Sequence, residues 1–230
     1  MRDSIISYFD MCQSEGSSLQ RGMNFRLGGD YSVILMSVQN NAPYKDKIED
    51  DGSTLIYEGH DHARFPGVEP KLVDQPKHLP SGRPTENGKF YRAAKDYQDR
   101  NNSPERVRVY EKLKKGIWAD NGYFDLIDAW QENDGRREVF KFKLQVASDQ
   151  ESKAKRVKSN TGHEPNRIIP TSVKIQVWKR DKGKCVMCGA TDEIHFDHII
   201  PYTKGGTSNK VENVQILCAR HNIQKSNRIE

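Results

Sequence analysis

Four residues near the end of the chain constrain its folding more than any other feature. Cys185 and Cys188 are spaced C-x-x-C, and Cys218 and His221 are spaced C-x-x-H. Thiolate and imidazole pairs at this spacing reach one tetrahedral zinc ion from two short turns. Four protein ligands leave no open position on the metal, so the zinc expected here is structural, and its binding is largely folding energy. Three of the four cysteines belong to this cluster and Cys12 stands alone. That usage points to a reducing compartment with metal-bound thiolates and not to a disulfide scaffold.

Between the two pairs lie Asp197-His198 and Asn213, and Asn222 directly follows the last zinc candidate. Hydrolysis of a phosphodiester needs a water, a base to deprotonate it, and positive charge on the developing phosphorane and leaving oxygen. In order, C-x-x-C, D-H-I-I-P, G-G, N-x-x-x-L-C and H-N-x-x-K resemble the HNH (ββα-metal) endonucleases of the zinc-containing type. The resemblance implies that His198 is the general base and that Asp197 ligates a catalytic divalent ion, with Asn222 as second protein ligand. Asn213, the middle letter of the motif, is expected to orient the loop or His198. Helical geometry fits these roles: Cys218 and His221 are i,i+3, whereas Asn222 is turned about 100° from His221. Lys225, one turn beyond, is placed to reach the phosphate. One or two oxygen ligands with several waters suit Mg²⁺, or a similar hard ion such as Mn²⁺. His195, one residue before Phe196, is expected to face away. The competing reading is a zinc-stapled DNA-binding knuckle without catalysis.

Ahead of this region the sequence reads as many short strands with one or two helices. Residues 1–25 suggest a short helix carrying Ile5, Ile6 and Phe9, and Tyr31–Val38 is an apolar strand. Thr54–Tyr57 is a further strand, residues 62–85 are a Pro-rich excursion, and Asn87–Gln98 places Phe90, Ala94 and Tyr97 at helical spacing. Strands follow at Arg106–Leu113, Tyr123–Trp130 after an expected Asn121-Gly122 turn, and Glu138–Val146. Residues 147–165 carry almost no large apolar side chains and read as a linker, and a helix is expected from Pro170 to Asp181 with Val173, Val177 and Trp178 inward.

Taken in order, Asn40-Asn41-Ala42-Pro43-Tyr44, Asp51-Gly52, Tyr57-Glu58-Gly59-His60-Asp61, Asn87-Gly88-Lys89-Phe90, Arg106-Val107-Arg108-Val109, Asn121-Gly122-Tyr123-Phe124, Asp128-Ala129-Trp130 and Phe140-Lys141-Phe142 resemble an SRA (YDG) domain. Domains of that family bind DNA containing a modified cytosine by flipping the base into a pocket. The fold implied is α+β: an SRA/PUA-like curled β-barrel with flanking helices over residues 1–146, then a small ββα-metal zinc domain over 166–230. A flipped pyrimidine needs aromatic faces to replace its lost stacking and polar groups for its Watson–Crick edge. By resemblance Tyr44 and Tyr57 supply the faces, Asp46 accepts from the cytosine amino group, and Glu58 is a further candidate. Asp46-Lys47 stands where the family commonly shows two acidic residues. Arg83, Asn87 and Lys89 are candidates for the grooves beside the base, and His60 is expected on the surface or in a loop.

The charge distribution agrees with a nucleic-acid partner. Residues 151–230 hold 15 Lys/Arg against 8 Asp/Glu, while the rest of the chain holds 22 against 24. A basic region suits phosphate contacts. Mean hydropathy is −0.88 and no apolar run suggests a membrane span, so a soluble, cytoplasmic protein is expected; the resemblance to restriction enzymes that combine SRA and HNH domains implies a prokaryotic one. The combined expectation is a modification-dependent endonuclease that binds double-stranded DNA containing 5-methylcytosine or 5-hydroxymethylcytosine and cuts nearby at a loosely defined distance across a flexible linker. One HNH site cuts one strand, so a homodimer or two independent nicks is implied. The alternatives are an HNH restriction or nicking nuclease indifferent to or inhibited by methylation, and a non-enzymatic reader of modified DNA.

Overall fold

The computed structural model describes residues 3–49, 52–64, 66–147, 168–201 and 204–226. In chain order the elements are β1 (Ser4–Ser7), α1 (Tyr8–Ser14), β2 (Met23–Asn24), β3 (Ser32–Met36), β4 (Lys47–Ile48), β5 (Thr54–Glu58), α2 (Glu86–Gln98), β6 (Glu105–Lys114), β7 (Ile117–Asn133), β8 (Glu138–Val146), α3 (Thr171–Arg180), β9 (Ile194–His198), β10 (Val214–Cys218) and α4 (Ala219–Lys225). All ten strands join in one sheet, ordered β10-β9-β1-β7-β6-β3-β2, with β8, β5 and β4 branching from β7. The expected class, α+β with a curled sheet and a small ββα unit, is the one observed.

The branch exists because β7 is 17 residues long. Its start pairs with β1 at Ile117–Asp120, its second half pairs with β8 from Phe124 to Asn133, and β6 runs antiparallel along its first part. The sheet curls around Val107, Phe124, Leu126, Phe140, Phe142 and Leu144, closed on one side by Phe90 and Ala94 of α2. Each such side chain, fully buried, contributes on the order of 1.5–3 kcal/mol. The spacing that marked α2 is therefore its inner face, and Thr85 caps the helix by accepting from the Gly88 N–H.

Two local expectations differ from the structure. Ile5 and Ile6 belong to a strand, and the helix begins only at Tyr8, where Ser7 accepts from the Asp10 N–H. The edge of β7 draws residues 4–7 into the sheet over their modest helical preference. Asn121-Gly122 lies inside β7 and not in a turn. Gly122 has φ of 80°, and the β6–β7 register shifts between Arg108 and Tyr110, so the pair builds a bulge; the hairpin turns at Lys115-Gly116 instead. The excursion after residue 61 is fastened down: Gln75 donates to the Gly59 carbonyl and accepts from Phe140 N–H, and the Arg137 guanidinium donates to the Pro70 carbonyl and to Asp61.

The C-terminal unit is α3 followed by an antiparallel β9–β10 pair and α4. It shares a core with the larger sheet: Ile169, Val173, Val177, Phe196 and Ile216 pack with Leu113 of β6 and Ala119 of β7. β1 is wedged between the units, paired with β7 on one side and with β9 through Ser4 and His195 on the other. Of the expected linker 147–165, Ala147 is buried and the remainder lies outside the described residues. Among the described residues no helix is long and apolar enough to cross a membrane.

Candidate functional site

Two sites emerge, one in each unit. In the C-terminal unit the knuckle carrying Cys185 and Cys188 is closed by Cys185 N–H to the Ala190 carbonyl and by Gly189 N–H to the Cys185 carbonyl, and Val186 N–H ties it to Ile216 of β10. Cys218 ends β10 and caps α4, which brings His221 round one turn later. The four donor atoms lie within 4.8 Å of one another. Cys188 Sγ is 3.9 Å from Cys218 Sγ, and His221 Nδ1 is 3.4 Å and 3.3 Å from the sulfurs of Cys185 and Cys218. Tetrahedral zinc at ordinary bond lengths sets S···S at about 3.8 Å and S···N at about 3.6 Å. The donor set therefore fits zinc, with His221 presenting Nδ1. Burial alone would push the Cys185 thiol up, but N–H groups of Cys218, Met187 and Cys188 and the His221 ring bring it down to about 6, towards the thiolate a metal needs.

Asp197 and His198 end β9 and are both half-buried. Asp197 Oδ2 accepts from Lys225 Nζ at 2.9 Å and from Gln215 Nε2 at 3.2 Å. Lys225 is buried, its ammonium also donating to the His198 carbonyl at 2.6 Å. It thus grips the backbone and carboxylate of the D-H pair from beneath. His198 Nε2 lies 3.0 Å from Ser208 Oγ, a partner that no motif spacing singled out. Asn213 supplies the loop that delivers Ser208: its side chain accepts from Ile200 N–H and donates to the Ile200 and Thr207 carbonyls. Gly206 is required in that loop, since any Cβ there would collide with the Ile200 carbonyl. Asn222 is half-buried on α4, next to His221. His195 is buried at the seam with β1, and its Nδ1 has no hydrogen-bond partner among the described residues.

In the larger unit, Tyr44, Asp46 and Tyr57 line one cavity of about 590 Å³ together with His60. Glu58 does not line it, because Tyr57 and Glu58 are consecutive on β5 and point to opposite faces. Glu58 is instead buried against Lys141, 3.0 Å away, and accepts from Lys45 N–H. Asp46 is fixed by two backbone donors, Ser37 N–H at 2.9 Å and Glu58 N–H at 3.0 Å. Burial outweighs those bonds and raises its carboxyl to about 7, with the nearby Glu58 charge adding to the rise. His60 was not expected here. Its ring stacks on Tyr44, centroids 5.6 Å apart and planes 19° from parallel, and its Nε2 is 3.2 Å from the Tyr57 hydroxyl. Burial lowers its pKa to about 4, so it is neutral at physiological pH. Asn87 holds His60 in place by accepting its N–H and donating to its carbonyl, both at 2.8 Å. Asn87 is therefore buried behind the pocket, and it lines, together with Arg83 and Lys89, an adjoining cleft of about 850 Å³. Gly59 is needed at this strand end, where a Cβ would sit 2.7 Å from both the Asn87 and Gln75 side-chain oxygens.

Residues 185–228 match the HNH endonuclease family. The zinc cluster, the D-H pair, Asn213 and the HNH unit's final helix all lie inside that match. Solved structures similar to the chain include the SRA domain of SUVH5 with hemi-methylated CG DNA, at 22% identity and a TM-score of 0.43 over 62% of this chain and 85% of that one. The same domain bound to fully hydroxymethylated CG DNA is 21% identical with a TM-score of 0.41 over the same shares. KRYPTONITE in complex with mCHH DNA, an H3 peptide and SAH is 16% identical with a TM-score of 0.44, over 64% of this chain and 32% of that one. No curated protein matches the chain.

Proposed function

We propose that the protein is a modification-dependent DNA endonuclease, in which the curled sheet captures a flipped modified cytosine and the HNH unit hydrolyses a phosphodiester nearby. The observation that carries the reading is His198, half-buried beside Ser208, adjoining a carboxylate held by Lys225 and Gln215 inside a stretch that matches the HNH family. His198 takes the proton of the attacking water as the water oxygen bonds to phosphorus and the bond to the leaving sugar oxygen breaks. Asp197 and Asn222 would hold a divalent ion. Both described bonds to the Asp197 carboxylate go to Oδ2, which leaves Oδ1 for a cation, and an oxygen donor set suits Mg²⁺ or Mn²⁺. When bound, the ion neutralises charge on the phosphate. Lys225, buried with its ammonium on the Asp197 carboxylate and the His198 carbonyl, positions both members of the D-H pair.

In the reader, the half-buried Tyr44, with His60 stacked beside it, is the aromatic face of the cavity, the core residue Tyr57 forms its wall, and Asp46 meets the cytosine edge. That edge presents N4–H as donor and N3 as acceptor, and a protonated carboxyl satisfies both. Glu58 braces the strand through Lys141 and does not touch the base. The substrate is then double-stranded DNA carrying 5-methylcytosine or 5-hydroxymethylcytosine. Because one HNH site cuts one strand, double-strand breaks arise from two copies of the chain or from successive nicks; a second-order dependence of double-strand cutting on protein concentration identifies the former.

The test is cleavage of matched duplexes with cytosine, 5-methylcytosine or 5-hydroxymethylcytosine in Mg²⁺ and in Mn²⁺. Cutting confined to modified DNA is expected. Equal cutting removes the sensor from the proposal, preferential cutting of plain DNA reverses the meaning of the modification, and no cutting with either ion leaves a non-enzymatic reader.

A further inference from the structure

We infer that a buried polar clamp centred on Lys174 holds the HNH unit at a fixed position relative to the base pocket, so that cleavage falls at a set distance from the modified cytosine. The inference rests on the proposed function for its reading of the base pocket, but its physical basis is independent of it. Lys174 of α3 and Glu111 of β6 are both fully buried and lie 2.7 Å apart. Lys174 also donates to the Asn121 side-chain oxygen at 2.6 Å, Asn121 donates to Glu111 at 3.0 Å, and the Thr171 hydroxyl bonds the other Glu111 oxygen. Two residues of the clamp come from the HNH side and two from the reader. A small displacement within the closed seam would leave each charge desolvated and unpaired, so the pair favours the one arrangement in which its partners meet. A loosely tethered pair of domains would meet through a smaller, wetter contact.

The clamp has company. Asp3 bridges the units, its N–H donating to the Asp120 carbonyl and its carbonyl accepting from Phe196 N–H, so the sheet is continuous across the seam. Above the seam opens a cleft of about 940 Å³ lined from the reader by Gln39, Asp46 and Lys47 and from the HNH unit by Thr171, Ser208 and Asn209. Asp46 also lines the base cavity, and Ser208 bonds His198. One cleft therefore runs from the wall of the base pocket to the partner of the general base. Lys174 acts as a positioning residue for the cut.

Two variants test this. The first inserts about twenty Gly/Ser residues between positions 150 and 160, enough to loosen any distance that a flexible tether controls. The second is Lys174→Ala. Cut positions are mapped on duplexes with a single modified cytosine, and amide exchange is followed at Asp3 and Phe196. The wild type and the lengthened chain should cut at the same one or two neighbouring phosphates, and both amides should exchange as slowly as those of β6. Lys174→Ala should spread the cuts over several phosphates and speed both amides at least about tenfold, the signature of local opening. Cuts that shift with the inserted length, or bridge amides that exchange like surface groups in the lengthened chain, overturn the inference. Unchanged cuts and exchange in Lys174→Ala remove the role of that residue. Equal cutting of unmodified DNA would defeat the base-reading proposal alone, since the exchange measurement needs no DNA.

Discussion

The HNH unit and the curled sheet solve the same problem, holding polar groups at fixed positions, by opposite means. In the HNH unit every candidate residue lies between Cys185 and Lys225, and one metal site with one hairpin orders them. In the reader the support is scattered along the chain: Ser37 and Glu58 N–H hold Asp46, Asn87 holds His60, and Gln75, Lys141 and Arg137 hold the adjoining Gly59, Glu58 and Asp61. The first arrangement concentrates its vulnerability in four ligands. The second spreads it over a buried network in which no single residue is decisive but each is costly to orphan.

That contrast can be broken first at the metal. Cys185→Ser removes a ligand from a site whose binding energy is largely folding energy, on the order of 10 kcal/mol or more for small zinc units. Zinc content and protected amides of β9 and β10 should be lost while the core around Phe124 and Phe142 keeps its protection; unchanged zinc and melting would show that the cluster is no ligand set. His198→Ala should lower the cleavage rate by about 10²–10⁴-fold, the usual worth of a general base, with binding to modified DNA unaltered in a gel-shift titration. Tyr44→Ala should weaken that binding by roughly 1–3 kcal/mol, the value of one base–aromatic stack, while cutting of any plain DNA stays as it was. Equal loss of affinity for modified and plain duplexes would count against Tyr44 as the face of a base slot.

The smallest effect concerns Asp46. Its folded pKa, about 7, lies above the ordinary carboxylate value. Between the two values the unfolded chain has released a proton that the folded chain keeps, so stability declines as pH rises towards 7 and levels off above it. The acid form is also the one that matches cytosine N3 and N4. Affinity for modified DNA should therefore fall above neutrality, by at most about tenfold per pH unit, and Asp46→Asn, which keeps one donor and one acceptor, should flatten the profile. An affinity that rises with pH would assign the ionised form instead.

The same contrast explains what the sequence disclosed. Zinc pairs, D-H and H-N stand at spacings fixed by one hairpin and one helical turn, so they were readable as strings, and so were the apolar strands and the inner face of α2. Ser208 and His60 were not. Each reaches its partner through loop geometry, Ser208 by way of Asn213 and Gly206, His60 by way of Asn87 and Gly59, and nothing periodic marks such residues. The bulge at Asn121-Gly122 shares its letters with a hairpin turn, and only the presence of β1, β6 and β8 around β7 decides between them. The clamp was hidden for a simpler reason: Lys174 looked like one more cation in a basic region, and burial is not written in composition.

β7 also bears on how such an enzyme comes into being. The HNH unit borrows Ala119 for its core and, through β1, borders the same strand, while Asn121 within it completes the buried clamp. A C-terminal fragment cut loose from the chain would lack all three, leaving apolar and charged surface open to water. The HNH unit therefore completes its core and its buried clamp on surfaces that the larger sheet supplies. Those surfaces precede the HNH unit in the chain, so synthesis from the N-terminus makes the support before the part that rests on it.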